Sequence, residues 1–356
     1  MRHVRRTIGG AAAPRGGDDM RAAVLAAVGE IEIVERPVPQ PGPAEVLIEV
    51  RAVGVCGSDV HYYKHGRIGA HVVEGPLVLG HEAAGVVVGL GSNARRHAVG
   101  QRVSLEPGVP DLTCAQCRAG RYNLCPAMRF FGTPPIDGAF CEYVVLHEEF
   151  AHPVPDALTD EAAALLEPLS VGVWACRKAR VARGDRVLVN GAGPIGLVAA
   201  QTALAFGATE VVITDVNPRR LALATELGCT RAVDVGVTEL SALGFEPSVL
   251  LECSGHPAAI GAAVRLVVRA GRVVLVGMGG DDVPLPLPRV QEYELELTGT
   301  FRYANTWPTA IELAATGRVD LDRLVTGRFG LDEVERALTS ARTDPGSIKP
   351  IVRPGG

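Results

Sequence analysis

Two short segments near the start of the chain carry side chains that could hold a metal ion. Cys56 lies in the sequence VGVCGSDVH, and His81 and Glu82 lie in LGHEAAG. A thiolate, an imidazole and a carboxylate form a zinc site that can keep one position open for water or substrate. Because only one ligand is a thiolate, the metal should keep enough positive charge to polarise an alcohol oxygen strongly. Neighbouring residues of a regular strand point to opposite faces. His81 and Glu82 can therefore share a metal only if the chain turns there, which Gly80 permits.

Three of the eight cysteines lie close together in the sequence. Cys114, Cys117 and Cys125 have the spacing Cys-x2-Cys-x7-Cys in a loop rich in Gly and Arg. Clustered cysteines in a chain that we expect to be cytoplasmic more often bind metal than form disulfides. A structural zinc needs a fourth ligand, and the same spacing counted backwards reaches Asp111, whose carboxylate can complete a tetrahedron. The alternative is a loop that has lost its metal.

A glycine motif predicts a dinucleotide site. It reads Gly191-Ala192-Gly193-Pro194-Ile195-Gly196 and fits the pattern G-x-G-x-x-G. The motif follows an apolar strand-like run at 186–189 and opens a helical run at 197–206, with Asp215 at the end of the next strand. In this context the glycines let the backbone approach a pyrophosphate at a helix N-terminus. Asp215 would accept hydrogen bonds from ribose hydroxyls and so favours NAD over NADP. Arg219 and Arg220 weaken this preference, because a guanidinium can hold a phosphate.

The hydrophobic pattern predicts two kinds of structure along the chain. Residues 20 to about 170 are typical of short β-strands separated by Gly and Pro. From residue 184 strands alternate with helices, which indicates parallel βαβ units in a doubly wound sheet. Only residues 237–247 separate two candidate strands, so we expect at most one helical turn in that crossover. After residue 300 we expect one more helix, at about 306–316, and then a short mixed segment that returns to the first domain.

Composition excludes several classes of partner. The formal net charge is −5 and the pI about 6.0, which gives no general attraction to nucleic acid or anionic membranes. No apolar run is long enough for a transmembrane helix. Residues 1–19 are rich in Arg, Gly and Ala, and we expect them to be a disordered extension, with Met20 able to serve as the initiator.

Longer motifs resemble one enzyme family. These motifs are VGVCGSDVHYYKHGRIG, LGHEAAGVV, GRYNLCP, FFGTPPIDGAF, LLEPLSVGVWACR, GAGPIG and GTFRYANTWPTAI. Together they resemble the zinc-containing medium-chain dehydrogenase/reductase superfamily from residue 20 onwards, and most of all its sorbitol and xylitol dehydrogenase branch. The resemblance implies an α/β protein with a GroES-like, mostly-β catalytic domain at 20–175 and 305–356. It also implies a Rossmann NAD-binding domain at 176–304.

The resemblance also implies residue roles. Cys56, His81 and Glu82 are similar to the catalytic zinc ligands, and Glu167 to the carboxylate that holds a water molecule at the metal. Ser58 and His61 resemble a relay that carries the alcohol proton to solvent. Residues similar to substrate contacts are Tyr62, Phe130, Arg302 and Tyr303. Residues similar to cofactor contacts, besides the glycine motif and Asp215, are Arg220, Val276, Gly277, Met278, Thr300, Phe301 and Arg302. Asp111 departs from the family pattern, since it replaces the first cysteine of the structural zinc site.

The function that the resemblance implies is oxidation of a secondary alcohol of a polyol to a ketone, with hydride transfer to NAD, in a homotetramer. Alternatives with the same chemistry are a threonine 3-dehydrogenase or a butanediol dehydrogenase. A zinc-free reductase of the same fold is disfavoured by the complete set of Cys56, His81 and Glu82. A non-catalytic NAD-binding protein has no support in the sequence.

Overall fold

The computed structural model describes residues 18–280 and 282–355. The strands among them are β1 (Asp19–Ala27), β2 (Glu30–Pro37), β3 (Glu45–Gly54), β4 (Arg67–Ile68), β5 (His71–Val72), β6 (Leu77–Val78), β7 (Glu82–Leu90), β8 (Arg102–Leu105), β9 (Gly108–Val109), β10 (Arg129–Phe130), β11 (Tyr143–His147), β12 (Ala151–Pro153), β13 (Arg186–Asn190), β14 (Glu210–Asp215), β15 (Arg231–Asp234), β16 (Val249–Glu252), β17 (Arg272–Leu275), β18 (Glu296–Gly299), β19 (Val325–Gly330) and β20 (Lys349–Arg353). The α-helices are α1 (Gly57–His65), α2 (Ala115–Arg118), α3 (Asp160–Ala164), α4 (Leu166–Lys178), α5 (Pro194–Ala205), α6 (Pro218–Glu226), α7 (Pro257–Val264), α8 (Leu287–Glu292), α9 (Trp307–Ala315) and α10 (Val334–Thr343).

A largely antiparallel sheet organises the first half of the chain. Its strand order is β12-β8-β7-β3-β20-β19, and β11 also pairs with β3. Strand β3 is the hub, because β7, β11 and β20 all pair with it. The predicted return of the chain end to the first domain is confirmed, since Ile351 pairs with Gly54 and Val352 with Val53. This pairing places the last strand, β20, beside the end of β3, just before the predicted metal ligand Cys56.

A six-stranded parallel sheet follows, in the order β15-β14-β13-β16-β17-β18. Counted along the chain, this is the order 3-2-1-4-5-6 of a doubly wound dinucleotide fold, with its switch point between β13 and β16. Apart from their first or last residue, β13, β14 and β16 are buried throughout, as expected of strands covered by helices on both faces. The predicted mixed α/β fold is confirmed. The sixth strand, β18, is an element that the hydrophobic pattern did not reveal.

The structure also tests the connecting segments. The short crossover holds a single 3-10 turn, Leu240–Leu243, as predicted. The prediction of one helix after residue 300 is wrong, because α10 follows α9. Val334, Ala337 and Leu338 of α10 are buried at the spacing of one helix face, and they pack against β19 and β20. The adjacent charged residues Glu335 and Arg336 and the polar residues after Leu338 obscured that face in the sequence.

The predicted extension at 1–19 lies outside the described residues except for its last two positions. Asp19 begins β1 and pairs with Pro37, so the ordered sheet starts one residue earlier than predicted. Among the residues that the structure describes, no helix has the length and apolar character required to cross a membrane.

Candidate active site

The three predicted catalytic metal ligands meet at the end of β3 and the start of β7. Cys56 caps the N-terminus of α1, directly after β3. Gly80 has a φ of 91°, a backbone conformation that glycine adopts without strain, and this turn precedes His81 and Glu82. One ligand atom from each of Cys56, His81 and Glu82 lies within 4.8 Å of the others. A thiol, an imidazole and a carboxylate at this separation form a donor set that suits zinc.

Asp59 organises these ligands, and the sequence analysis missed it. Its Oδ2 accepts a hydrogen bond of 2.9 Å from the Cys56 backbone N–H, and its Oδ1 accepts one of 3.0 Å from the Gly80 N–H. The same carboxylate lies 3.4 Å from His81 Nδ1. Burial alone would lower the pKa of His81, but the charges of Asp59 and Cys56 outweigh it and raise that pKa. An acidic residue three positions after a helix cap was the available signal.

Lys349 is a second missed residue. Its Nζ donates to both carboxylate oxygens of Glu82, at 2.7 and 2.8 Å, and to the Val55 carbonyl at 3.0 Å. The side chains of Lys349 and Glu82 are only 3% and 1% exposed, so this is a buried ion pair. Burial works against the charge on Lys349, but Glu82 and Cys56 outweigh it and raise the lysine pKa. Nothing in the local sequence around residue 349 points to this contact.

Glu167 extends the cluster from the first turn of α4. Burial raises its pKa to about 7, even though the nearby His81 acts in the opposite direction. The Tyr303 hydroxyl donates a hydrogen bond of 2.6 Å to Glu167 Oε1. A carboxyl group with this pKa can hold or release a proton near neutral pH. The predicted residues Glu167 and Tyr303 are therefore in direct contact.

An aromatic ring and a guanidinium group form the next layer. The ring of Phe130 lies 5.6 Å from the His81 ring, and the Arg302 guanidinium lies 3.6 Å above the centre of Phe130. The hydroxyl of Tyr62 is buried, which raises its pKa, and it is close enough to Arg302 and His81 to interact with their charges. The structure thus brings Tyr62, Phe130 and Arg302, three residues predicted to contact substrate, close to the predicted metal ligands.

The proposed proton relay residues lie on α1. Ser58 and His61 are three positions apart, which places them on the same side of the helix. Ser58 is half-buried and His61 is exposed, with its ring 4.7 Å from that of His65. Burial, followed by the charges of His65 and Lys64, lowers the pKa of His61. Within the described residues no hydrogen bond joins Ser58 to His61.

The three motif glycines have distinct structural roles at the start of α5. Gly191 has a φ of 102°, and a Cβ there would lie 3.0 Å from the Ser254 backbone. Gly196 lets the helix approach the turn closely, since a Cβ at this position would lie 1.8 Å from the Gly191 carbonyl oxygen. Gly193, the N-cap of α5, faces open space, since a Cβ added there would have no neighbour within 4 Å. Ile195 is half-buried in the first turn. This arrangement leaves room for a pyrophosphate at the helix N-terminus.

Asp215 lies beside this turn at the end of β14. Its Oδ2 accepts a 2.7 Å hydrogen bond from the Ala192 N–H, and Arg220 Nη1 lies 4.0 Å from the same oxygen. Arg219 instead pairs with Asp344 at 3.1 Å. Arg219 and Arg220 weakened the predicted preference for NAD over NADP, and of these two only Arg220 contacts Asp215.

The predicted contacts to the nicotinamide half lie where neighbouring strands end. Val276 and Gly277 both donate backbone hydrogen bonds of 2.8 Å to the Glu252 carbonyl, and Met278 is exposed beyond them. The Thr300 N–H donates to the Leu275 carbonyl at 3.0 Å, which joins the segments after β17 and β18. Phe301 is 52% exposed and leads directly to Arg302. The segments predicted to contact the cofactor and the substrate are thus continuous in the chain.

The second cluster forms a separate lobe at residues 111–125. Asp111, Cys114, Cys117 and Cys125 offer ligand atoms that all lie within 4.8 Å of one another. Oδ1 of Asp111 accepts hydrogen bonds from the N–H groups of Cys114 and Thr113, which lower the Asp111 pKa to about 2. The Cys117 backbone N–H lowers the pKa of Cys114. An ionised carboxylate among thiols is a donor set that fits a structural zinc.

Comparison with known proteins agrees with this geometry. The family described as "Alcohol dehydrogenase GroES-like domain" matches residues 42–156, and "Zinc-binding dehydrogenase" matches residues 194–316. Sorbitol dehydrogenase of Gallus gallus is 43% identical over 91% of this chain and 94% of its own length. Sorbitol dehydrogenase of Bacillus subtilis is 42% identical over the same shares.

Solved structures share the fold. An Escherichia coli oxidoreductase of unknown specificity is 33% identical with a TM-score of 0.91, covering 94% of this chain and 99% of its own. The 2R,3R-butanediol dehydrogenase of Bacillus subtilis is 31% identical with a TM-score of 0.85, covering 94% and 99%. With two family domains and relatives above 40% identity along nearly the whole length, the chain belongs to the zinc-binding alcohol dehydrogenase family.

Proposed function

We propose that this enzyme oxidises a secondary hydroxyl of a polyol, of the sorbitol, xylitol or L-iditol type, to a ketone with NAD. The observation that carries the proposal is a group of polar side chains beside the metal ligands, namely the buried Tyr62, Glu167 and Tyr303 and the half-buried Arg302. A substrate with several hydroxyls can pair with these groups, whereas a simple alcohol would leave buried donors unpaired. The relatives named sorbitol dehydrogenase are 42–43% identical, against 31% for the butanediol dehydrogenase.

The residues divide the chemistry among them. When bound, zinc lowers the pKa of the substrate hydroxyl and NAD accepts the hydride from its carbon. Asp59 and Lys349 hold the ligand side chains in position through the contacts described above. Tyr303 orients Glu167, which can take up or release a proton near neutral pH. Ser58 and His61 offer the second proton route along α1.

Cofactor choice belongs to the same proposal. The carboxylate of Asp215 faces the glycine turn, where the adenosine ribose would bind, and repels a 2′-phosphate. Arg219 forms an exposed ion pair with Asp344 and makes no contact with Asp215. NAD is therefore the preferred cofactor, with Arg220 contacting the adenosine half.

Further parts of the proposal concern the assembly. We propose a second, structural zinc on Asp111, Cys114, Cys117 and Cys125, and a cytoplasmic homotetramer. The catalytic domain would comprise residues 20–175 together with 305–356, and the cofactor domain residues 176–304. The two large sheets support this division, since β19 and β20 belong to the sheet of the first half.

A substrate panel with metal analysis tests the function. We expect NADH formation with sorbitol, xylitol or L-iditol to exceed that with L-threonine or 2,3-butanediol. We expect Cys56→Ser to lose one zinc per subunit and nearly all turnover while still binding NADH, because Cys56 lies outside the dinucleotide turn. Cys229→Ala, which removes a buried thiol elsewhere, is the matched control. Near-normal turnover of Cys56→Ser, or preference for L-threonine or butanediol, would overturn the assignment.

A further inference from the structure

The segment that carries the substrate residues has a constrained backbone. Arg302 and Asn305 have φ values of 52° and 56°, in the left-handed region that residues other than glycine rarely adopt. Such conformations persist only where the surroundings hold them. Between them Tyr303 reaches Glu167, and Arg302 lies over Phe130. The groups that hold residues 300–305, here called the substrate loop, therefore decide where two substrate contacts lie.

The cysteine lobe, residues 111–125, supplies three of these holding contacts. Asn123 Nδ2 donates a 2.8 Å hydrogen bond to the Phe301 carbonyl. The Asn305 N–H donates to the Tyr122 hydroxyl at 2.8 Å, and Asn305 Nδ2 donates to the Gly120 carbonyl at 3.2 Å. The contacts bracket Arg302 and Tyr303 on both sides. From the opposite direction, Arg177 of α4 binds the Asn305 carbonyl at 2.7 Å.

On the lobe side, burial and further hydrogen bonds hold the residues that make these contacts. Asn123 is 4% exposed and belongs to the 3-10 turn Tyr122–Leu124, which ends at Cys125. The Tyr122 hydroxyl donates a 2.6 Å hydrogen bond to the buried carboxylate of Glu106, and His152 contacts the other Glu106 oxygen at 2.8 Å. The ring of His152 stacks on Trp307, just beyond the substrate loop. Two hydrogen bonds and a ring stack thus connect the lobe to Trp307, in addition to the direct contacts with Phe301 and Asn305.

We propose that the cysteine lobe is the clamp that positions the substrate loop, with Asn123 as the main positioning residue. Asn123 acts through Arg302 and Tyr303, which present their side chains to the polyol. The inference rests on the proposed polyol function, and it gives the lobe a task in substrate affinity besides its own stability. The adenosine half of the cofactor site, at Gly193 and Asp215, lies on other elements and is independent of the clamp.

Asn123→Ala tests the clamp in the full-length, zinc-loaded enzyme. We expect the KM for the polyol to rise roughly tenfold, because one buried hydrogen bond that orders the loop is lost. The dissociation constant of ADP-ribose, which lacks the nicotinamide, and the zinc content should stay unchanged. Arg118→Ala, an exposed change on α2 of the same lobe, is the control and should leave the KM unaltered.

A fluorescence measurement tests the clamp independently of the proposed enzymatic function. Trp307 donates to Ser104 and lies 5.2 Å from the Tyr303 ring, so its fluorescence reports on the loop. In a Trp174→Phe background, Asn123→Ala should make Trp307 more accessible to acrylamide. This result is expected even if the wild-type enzyme oxidises no polyol, an outcome that would defeat the proposed function alone.

A second variant covers the case in which Asn123→Ala does not fold. Asn305→Asp keeps a residue type that tolerates the left-handed region but cannot donate to the Gly120 carbonyl. We expect it to raise the polyol KM and Trp307 quenching in the same direction. The clamp is overturned if the folded variants lower thermal stability but leave both the polyol KM and the quenching at wild-type values.

Discussion

The buried pair of Lys349 and Glu82 allows a quantitative test of how the metal site is charged. Lys349→Met replaces the ammonium group with an apolar side chain of similar length. It leaves Glu82, whose side chain is 1% exposed, without its lysine partner and leaves the Val55 carbonyl without a donor. Removing one partner of a buried ion pair costs roughly 3–5 kcal/mol.

The unpaired charge on Glu82 should dominate this cost when no metal is bound. In the metal-free protein we therefore expect the free energy of unfolding to fall by roughly 3–5 kcal/mol.

Bound zinc should change the result. A divalent ion on Glu82 replaces the missing positive charge, so the loss in the zinc-loaded variant should fall to roughly 1–2 kcal/mol, the cost of an unpaired buried carbonyl. Urea unfolding followed by circular dichroism, with chelator or with zinc, measures both values. Lys178→Met, at the end of α4, is the control and should show neither effect. Equal losses of unfolding free energy with and without zinc would refute the assigned role of Lys349.

Three further predictions concern other sites. Asp111→Ala should lower the midpoint of thermal unfolding but spare most activity. Asp111→Cys should raise that midpoint, because a thiolate suits this site better than an oxygen ligand. A content of one zinc per subunit, in protein whose catalytic zinc site is fully occupied, would contradict the second zinc. Asp215→Ala should lower the ratio of kcat/KM with NAD to kcat/KM with NADP. A wild-type preference for NADP would mean that Arg220, not Asp215, determines cofactor choice. Burial raises the folded-state pKa of Glu167 to about 7 from about 4.5, so the metal-free protein should lose stability as pH rises through that interval, and Glu167→Gln should remove this part of the slope. An unchanged pH dependence of unfolding in Glu167→Gln would show that other groups carry the slope.

Local patterns were enough to predict much of the fold and the donor set. The glycine motif, the alternation of strands and helices and the Cys-x2-Cys-x7-Cys spacing are all encoded within short windows, since each depends on neighbours along the chain. The missed elements are of another kind. Strand β18 has the mixed burial of the outermost strand of its sheet, and α10 has few apolar residues, so neither shows a strong pattern.

The sequence alone therefore determined the residue types available for a zinc and dinucleotide enzyme, because cap, turn and ligand spacings are local properties. Only the tertiary structure decided which charged groups and hydrogen bonds hold these residues in place. Lys349 reaches Glu82 across 267 positions and Asn123 reaches Phe301 across 178 positions. Such contacts depend on β20 pairing with β3 and on the lobe meeting the substrate loop. No sequence periodicity predicts these contacts, because they depend on how segments far apart in the chain pack together.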